Sequence, residues 1–438
     1  MKFSLQSRWL LALMILVGIV GWAVTGLSIY ARLVYLGILS IIGAAIWTVL
    51  SMLGVKFQRR TRSLRASMGE VLEENFEVRK DSWPGSAWLE VWNQSTLPMA
   101  AGSRLLTRIG VRQRRFYAAR TLLTKRGSFT LGPTRLTTGD PFGIFTIRRT
   151  IPSSETLLVL PKVFPITTFP PPPGLLPGGR SIRQRSFDIT PHASGVREYV
   201  IGDPVKRIHW PSTARRDRFM VKEFEQDPQG DIWLFLDAES GLQISEPEAA
   251  ETLPYQSDGW WLRRPTISLP KNTFEYAISA AASLASFFLA DRRAVGLICA
   301  AGKFTVVSAE RGVRQFNKIM ETLAFLQPEG KIPIQGLVEI QAKLLPLGSG
   351  VVLITSSTRP DLILAVEDLQ RRSLRPVVVL IKPETFGGHE ASESITAGLL
   401  KTNAPICQIA YGDNIGVQLA LPGIYFQHHY LATPAFHY

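Results

Sequence analysis

Two apolar runs at the N-terminus constrain this chain more than anything else in it. Trp9 to Tyr30 carries no charge, and neither does Leu33 to Val55. Each is longer than the roughly 20 residues that cross a hydrocarbon layer. Only Ala31 and Arg32 lie between them, so the expectation is a tight antiparallel hairpin of two transmembrane helices with its connection there. A cleaved leader does not fit, because no small-residue cleavage site precedes the second run. Lys2 and Arg8 come before the pair, and Lys56, Arg59, Arg60, Arg62 and Arg65 follow it, against one arginine in the connection. The positive-inside rule then places both ends, and the bulk of the chain, in the cytoplasm of a multi-pass membrane protein. Trp9, Trp22, Tyr30 and Tyr35 suit the lipid–water interface. The basic cluster after the second run is expected to lie against anionic headgroups, at about 1 kcal/mol per charge.

The remainder of a 438-residue chain is long enough for two or three cores. Its formal charge of +14 favours acidic partners: anionic lipid, acidic protein or nucleic acid. Cys299 and Cys407 are too few for a disulfide framework or a zinc site and read as buried thiols. From about residue 66 to 165, VLEENFEV, AWLEVWN, RRFYAARTLL and GSFTLGPTRL alternate as half-buried strands, which predicts an antiparallel β-sandwich of immunoglobulin type. GDPFGIF (139–145) closes this part with turn chemistry. Arg104, Arg108, Arg112, Arg114, Arg115 and Arg120 occur there with no acidic residue among them, either as solvated strand faces or as a surface for lipid headgroups or an acidic partner.

Residues 165–187 break regular structure, with prolines at 170–173. GLLPGGRS (174–181) mimics a phosphate-binding loop, with Arg180 where lysine belongs. That motif needs a strand before it and a helix after it, and neither is written here, so nucleotide binding is not expected.

Residues 197–225 are the densest stretch: REYVIGDPVKRIHWPSTARRDRFMVKEFE. Charges of both signs are interleaved with Tyr199, Ile201, Ile208, Trp210, Phe219, Val221 and Phe224, which predicts charges held in fixed pairs at the rim of a core. A structural ion-pair brace is one reading and a partner-binding surface the other. Arg197, Glu198, Tyr199, Gly202, Asp203, Arg207, Ile208, Trp210, Thr213, Ala214, Arg215, Val221, Lys222, Phe224 and Glu225 follow a pattern that resembles the signature of a bacterial family, domain of unknown function 58. That resemblance implies a membrane hairpin, a β-rich part, the signature, and then a region similar to a von Willebrand factor A domain. It also implies association with a MoxR-type AAA+ ATPase and with a transglutaminase-like membrane protein.

After the signature the pattern changes to α/β. DIWLFLD (231–237), AVGLICA, KFTVVSA, VVLITSS, PVVVLI and PICQIAY read as strands, with helices over 273–290, 312–326, 334–345, 361–372 and 394–400. Strands apolar throughout predict a doubly wound parallel sheet covered on both faces, with ligands at its carboxyl edge. There the implied metal motif, D-x-S-x-S, has Asp237 in place, but Glu239 and Gly241 stand at the serine positions, and Ser356 and Ser357 follow the later strand. Asp237 is therefore read as the remnant of a degenerate site without a metal. Residues 242–270, with Trp260, Trp261, Arg263 and Arg264, read as an insertion beside that edge. None of His192, His209, His389, His428, His429 and His437 lies in metal-ligand spacing.

The sequence thus predicts a hairpin (1–56), a β-sandwich (57–165), a proline-rich linker with the signature (166–230), and an A-like α/β domain (231–438). Its expected role is a non-enzymatic adaptor or scaffold without a cofactor, contacting membrane lipid and a MoxR-type ATPase and not nucleic acid. The rival readings are a basic nucleic-acid-binding membrane protein, and a metal-dependent enzyme using Asp203, His209 and Asp237.

Overall fold

The computed structural model describes residues 3–152, 154–170, 193–200, 208–224, 230–246 and 268–420. The proline run beyond Pro170, the GLLPGGRS segment, Trp260, Trp261, Arg263, Arg264 and the C-terminal histidines lie outside them. The chain divides into two compact units, one built mainly from residues up to Lys162 and one mainly from Val163 onward.

In the first unit, helices α1 (Phe3–Thr25) and α2 (Ser28–Met52) pack on one another as an antiparallel pair of apolar helices. Both are long and apolar enough to cross a bilayer. Their connection is Gly26–Leu27, not Ala31–Arg32 as charge alone suggested. Gly26 takes φ +63°, the left-handed geometry that ends a helix without steric cost. Arg32 is accommodated inside α2.

Strand β1 (Val55–Thr61) begins three residues beyond the end of α2. β2 (Arg65–Ser67), β3 (Val71–Lys80), β4 (Ser86–Asn93), β5 (Arg104–Ile109), β6 (Gln113–Leu122), β7 (Gly127–Leu131), β8 (Thr134–Gly139), β9 (Thr146–Ile151) and β10 (Glu155–Leu160) follow. They form three sheets, β1-β3-β6, β5-β4-β8-β9 and β2-β10-β7. Val55 and Val78 of the first sheet share one core with Leu89, Val91, Ile109 and Leu136 of the second, and Met52 of α2 joins it. The pairing is antiparallel except for β10 with β2. Nearly the whole unit separates those two strands in sequence, so the long crossover a parallel pair needs is available.

Strand alternation turns one member of the basic cluster, Arg59, away from its expected place. Val55, Phe57 and Arg59 share the inner side of β1, so the Arg59 side chain is 2 % exposed, donating to Leu131 O (2.7 Å) rather than to headgroups. Beside it Glu74 is fully buried, and burial pushes its carboxyl above the ordinary range against the pull of Arg59.

The inner row of β3 ends at Lys80, which is 0 % exposed. Its ammonium donates to Leu50 O (2.9 Å), Ser51 O (2.8 Å) and Leu53 O at the C-terminus of α2. A helix leaves its last carbonyls unpaired and carries negative dipole charge there. Burial holds the Lys80 pKa below the usual lysine range. Ser86 Oγ adds a bond to Ser51 O (3.0 Å), and Ala44, Thr48, Ser51 and Met52 are buried on the same helix.

In the second unit, β11 (Ala193–Glu198), α3 (Trp210–Arg216) and β12 (Met220–Phe224) carry the signature. The rest is β13 (Ile232–Leu236), α4 (Thr273–Ala290), β14 (Val295–Ala301), β15 (Lys303–Glu310), α5 (Val313–Phe325), α6 (Ile334–Gln341), β16 (Gly350–Thr355), α7 (Asp361–Arg371), β17 (Arg375–Ile381), α8 (Glu393–Lys401), β18 (Ile406–Ile409) and α9 (Ile415–Ala420). The six strands run β15-β14-β13-β16-β17-β18, parallel except for β15, which returns antiparallel beside β14 as an edge hairpin. Trp233, Phe235, Val351, Leu353 and Val378 pack with α6, α7 and α8 on one face. α4 contacts β13, β14, β16 and β17. By length and composition α4 could also cross a membrane, but 72 % of it is buried in this unit, so it is a core helix. Asn272 caps it, accepting from Phe274 N and Glu275 N. Cys299 and Cys407 are buried thiols, both pushed up to about 12 by desolvation.

Lys80→Met is expected to lower stability by about 3 kcal/mol, because three carbonyls lose a charged donor in a buried place. Thermal unfolding of the detergent-solubilised chain checks this, and an unchanged midpoint would remove Lys80 from its capping role.

Candidate functional site

The order of the α/β sheet fixes where a ligand site can form. The chain runs from β13 out to β14 and β15, then crosses to the other side of β13 to begin β16. In doubly wound sheets the crevice at the carboxyl ends of the two strands flanking that reversal is the binding locus. Asp237 directly follows β13 there, and Thr355 ends β16.

Asp237 is fully buried. Its Oδ2 accepts from Thr355 Oγ1 (2.6 Å) and its Oδ1 from Glu239 N (3.1 Å). Ser357 N donates to Thr355 Oγ1 (2.9 Å), and Arg359 N to Ser357 Oγ (3.3 Å). The Arg359 guanidinium forms an ion pair with Glu239. The edge therefore holds two linked acid–partner sets, Asp237–Thr355 and Glu239–Arg359. Desolvation pushes the Asp237 carboxyl from 3.8 up to about 6, and the Thr355 hydroxyl, the Glu239 amide and Arg359 oppose that rise. The Glu239 bond and its charge drive Arg359 up.

These residues do not fit a hard divalent cation, which needs about six converging oxygens. Both Asp237 oxygens already accept from protein donors, a guanidinium holds Glu239, and Gly241 offers no side-chain oxygen. Ser356 and Ser357 are each 4 % exposed, and Ser356 Oγ donates to Leu242 O (3.4 Å). Among the described residues no three of His, Cys, Asp and Glu gather into a metal-sized group. Thr355 and Arg359 escaped the sequence reading. Thr355 looked like one more strand residue, and Arg359 meets Glu239 only through the fold, 120 residues away.

The signature forms a small clasp. β11 and β12 pair antiparallel, and Ile208 bridges Val221. His209 N donates to Met220 O (2.7 Å), and Tyr199 N to Phe219 O (2.8 Å). Thr213 Oγ1 donates to His209 O (3.1 Å) and accepts from Met220 N (3.0 Å), riveting α3 to β12. His209 Nδ1 lies 2.8 Å from Ser212 Oγ. Ile208, Met220 and Val221 are buried. Two expectations fail here. Trp210 is 61 % exposed and Phe219 56 %, on the opposite side of the His209–Met220 pair in sequence from the buried Ile208 and Val221. The described charges are not held at a core rim: Glu198 pairs with Arg218 in the open (2.9 Å), and Ala214, Arg215 and Arg216 are exposed. Tyr199 is half-buried, edge-on to Phe219 (6.2 Å). Only the backbones of Arg197 and Lys222 are described, as strand residues, and Gly202, Asp203, Arg207 and Glu225 lie outside the described residues. Asp203 of the Asp203, His209 and Asp237 set thus lies outside the described residues, while His209 precedes α3 and Asp237 follows β13.

Residues 195–250 match the model of a family described as "Protein of unknown function DUF58". No curated protein matches by sequence. Among solved structures the chain is similar to the conserved hypothetical protein BatB from Bacteroides thetaiotaomicron, at 9 % identity, covering 46 % of this chain and 100 % of that one, with TM-score 0.30. It is similar to an aerotolerance-related membrane protein from Bacteroides fragilis at 13 % identity, covering 44 % and 96 %, with TM-score 0.29. The pilus adhesin SpaC from Lactobacillus rhamnosus GG gives 10 % identity, 44 % of this chain, 30 % of that one, and TM-score 0.29. Likenesses of this size carry no argument about this chain's activity.

Asp237 gives a pH signature of known sign. Its pKa lies higher in the folded state than in the unfolded one, so the folded state binds the extra proton between about 4 and 6. This group's effect on stability is therefore most favourable at low pH, and stability falls as pH rises through that window. Asp237→Asn is expected to flatten the dependence of the unfolding midpoint on pH between 4 and 6. A slope equal to that of the unsubstituted chain would exclude a raised Asp237 pKa.

Proposed function

We propose that this member of the DUF58 family, so identified by residues 195–250, is a membrane-anchored, non-enzymatic adaptor whose body lies in the cytoplasm. On this reading it works with a MoxR-type AAA+ ATPase in assembling or remodelling other proteins, with a transglutaminase-like membrane protein as a further partner. The location rests on the antiparallel hairpin and on Lys2, Arg8, Lys56, Arg60 and Arg62 at its two ends. The α/β region is read as von Willebrand factor A-like on its strand order and on Asp237 after its first strand.

The observation that carries the adaptor reading is the surface of the signature clasp. Trp210 and Phe219 flank the hydrogen-bonded His209 and Met220, both more than half exposed, and Arg215, Arg216 and Arg218 of the same clasp are exposed as well. Tryptophan and arginine are residue types enriched among binding hot spots. The frame needs neither side chain for its own bonds, which run through the backbone and Thr213. The acid groups at the carboxyl edge of the sheet are engaged with Thr355 and Arg359, which suits a scaffold.

Trp210→Ala combined with Phe219→Ala is expected to leave the unfolding midpoint unchanged and to abolish co-purification of a MoxR-type ATPase from native membranes under mild, low-salt extraction. Retention of the ATPase by the folded double variant would refute the clasp as the docking surface. Failure of the unsubstituted chain to retain any ATPase would refute the adaptor reading itself. Stoichiometric metal bound to the purified chain would favour the enzyme reading instead.

A further inference from the structure

We propose that three loops of the first unit, around residues 82–85, 108–112 and 140–145, form a second membrane contact that lies on the bilayer surface and binds anionic phospholipid headgroups. The inference rests on the reading that the helical hairpin spans the membrane.

Depth is the first argument. α2 has 25 residues, about 37 Å at 1.5 Å per residue. The hydrocarbon layer is about 30 Å thick, with about 5–7 Å of headgroup region on each side. A helix that enters that layer at its start therefore leaves it near Trp47. The Trp83 ring lies edge-on to Trp47 at 6.4 Å, which puts Trp83 at that boundary. The loop at 140–145 is tied to the other helix, where Arg8 Nε donates to Ile144 O (2.8 Å) at the start of the apolar span of α1. Two loops thus meet the two helices where each crosses the interface.

Chemistry is the second. Trp83 is 70 % exposed and Phe142 69 %, and large amphipathic or apolar rings favour the headgroup level. Asp140, the one acidic residue in the three loops, is buried and accepts from Phe142 N (2.9 Å), Ile144 N (3.2 Å) and Phe145 N (2.7 Å). It shapes the loop that presents Phe142 and adds no exposed negative charge. The turn after β5 lies beside the Trp83 loop, since a Cβ on Gly85 would stand 2.5 Å from Ile109 O. A 290 Å³ groove there is lined by Trp47, Gly85, Ser86, Arg108 and Gly110. Arg108 and Arg112 flank that turn, exposed, and neither is ion-paired among the described residues. Unpaired basic groups near an anionic surface are attracted to it. Continuity with the spanning helices selects a lipid surface over an acidic protein as the occupant.

The test uses the full-length chain in pure-lipid nanodiscs carrying about one-third anionic lipid. An environment-sensitive label is placed on Trp83→Cys and on Phe142→Cys, with Met99→Cys beyond the far end of β4 as the solvent control and Ile38→Cys within α2 as the depth standard. Cys299 and Cys407 are buried with thiols near 12, so they stay unlabelled. Quenchers carried on lipid are expected to act on the labels at 83 and 142, most strongly on 38 and not on 99. Arg108→Glu with Arg112→Glu is expected to raise several-fold the anionic-lipid fraction needed for half-maximal quenching at 83. Labels at 83 and 142 as unquenched as 99, with 38 quenched, would overturn this proposal alone. Protection found in native membranes but not in pure lipid would assign the surface to a protein and overturn it as well. Quenching indifferent to anionic lipid would overturn the headgroup assignment. An unquenched 38 would bring down the spanning reading, and this proposal with it.

Discussion

One buried ammonium decides how the membrane hairpin joins the folded body. Lys80 has no exposed surface, yet it ends a row of β3 that packs Leu72, Phe76 and Val78 inward, with Glu74 the other buried charge in it. Such a charge is tolerable only where strong acceptors converge, and the C-terminus of α2 supplies three. Lysine and helix end each relieve a cost of the other: the carbonyls gain a charged donor and the ammonium gains its solvation shell back. With Met52 in the same core as Val55 and Val78, the last turn of α2 is part of the β unit and not merely tethered to it. The first unit therefore holds its hairpin at a fixed place relative to its sheets.

The second unit solves a similar problem differently. A carboxylate at the switch point of an α/β sheet is poorly solvated, and Asp237 shows the strain in its raised pKa. A hydroxyl at the end of β16 and an amide two residues on offset part of that cost. Glu239, one turn away, is neutralised by Arg359 from the other side of the switch. Charge balance at this edge is thus achieved within the protein, by side chains that are distant in sequence.

The signature's charges are conspicuous in sequence, but among its described residues other groups hold the clasp together. Its charges looked like the organising feature, but the bonds that hold the clasp run through His209, Thr213 and Met220, with Ile208 and Val221 beneath. Among its described residues the clasp exposes Trp210, Phe219, Arg215, Arg216 and Arg218 together with Glu198 and Asp217. A hydroxyl that bridges a carbonyl and an amide eleven residues apart leaves no trace in composition or periodicity, so Thr213 was visible only as a matching position.

The sequence by itself determined the element types. Apolar length marked both membrane helices, alternation marked β3, β4 and β6, and α4 falls at Thr273–Ala290 as its pattern predicts. These signals are local, so local reading finds them. Only the tertiary structure decided the turn at Gly26, the inward placement of Arg59, the antiparallel edge β15, and the partners of Lys80, Asp237 and Glu239. Each depends on which segments the fold brings together, and burial and pairing across such distances are properties of the packed chain, written in no single stretch of it.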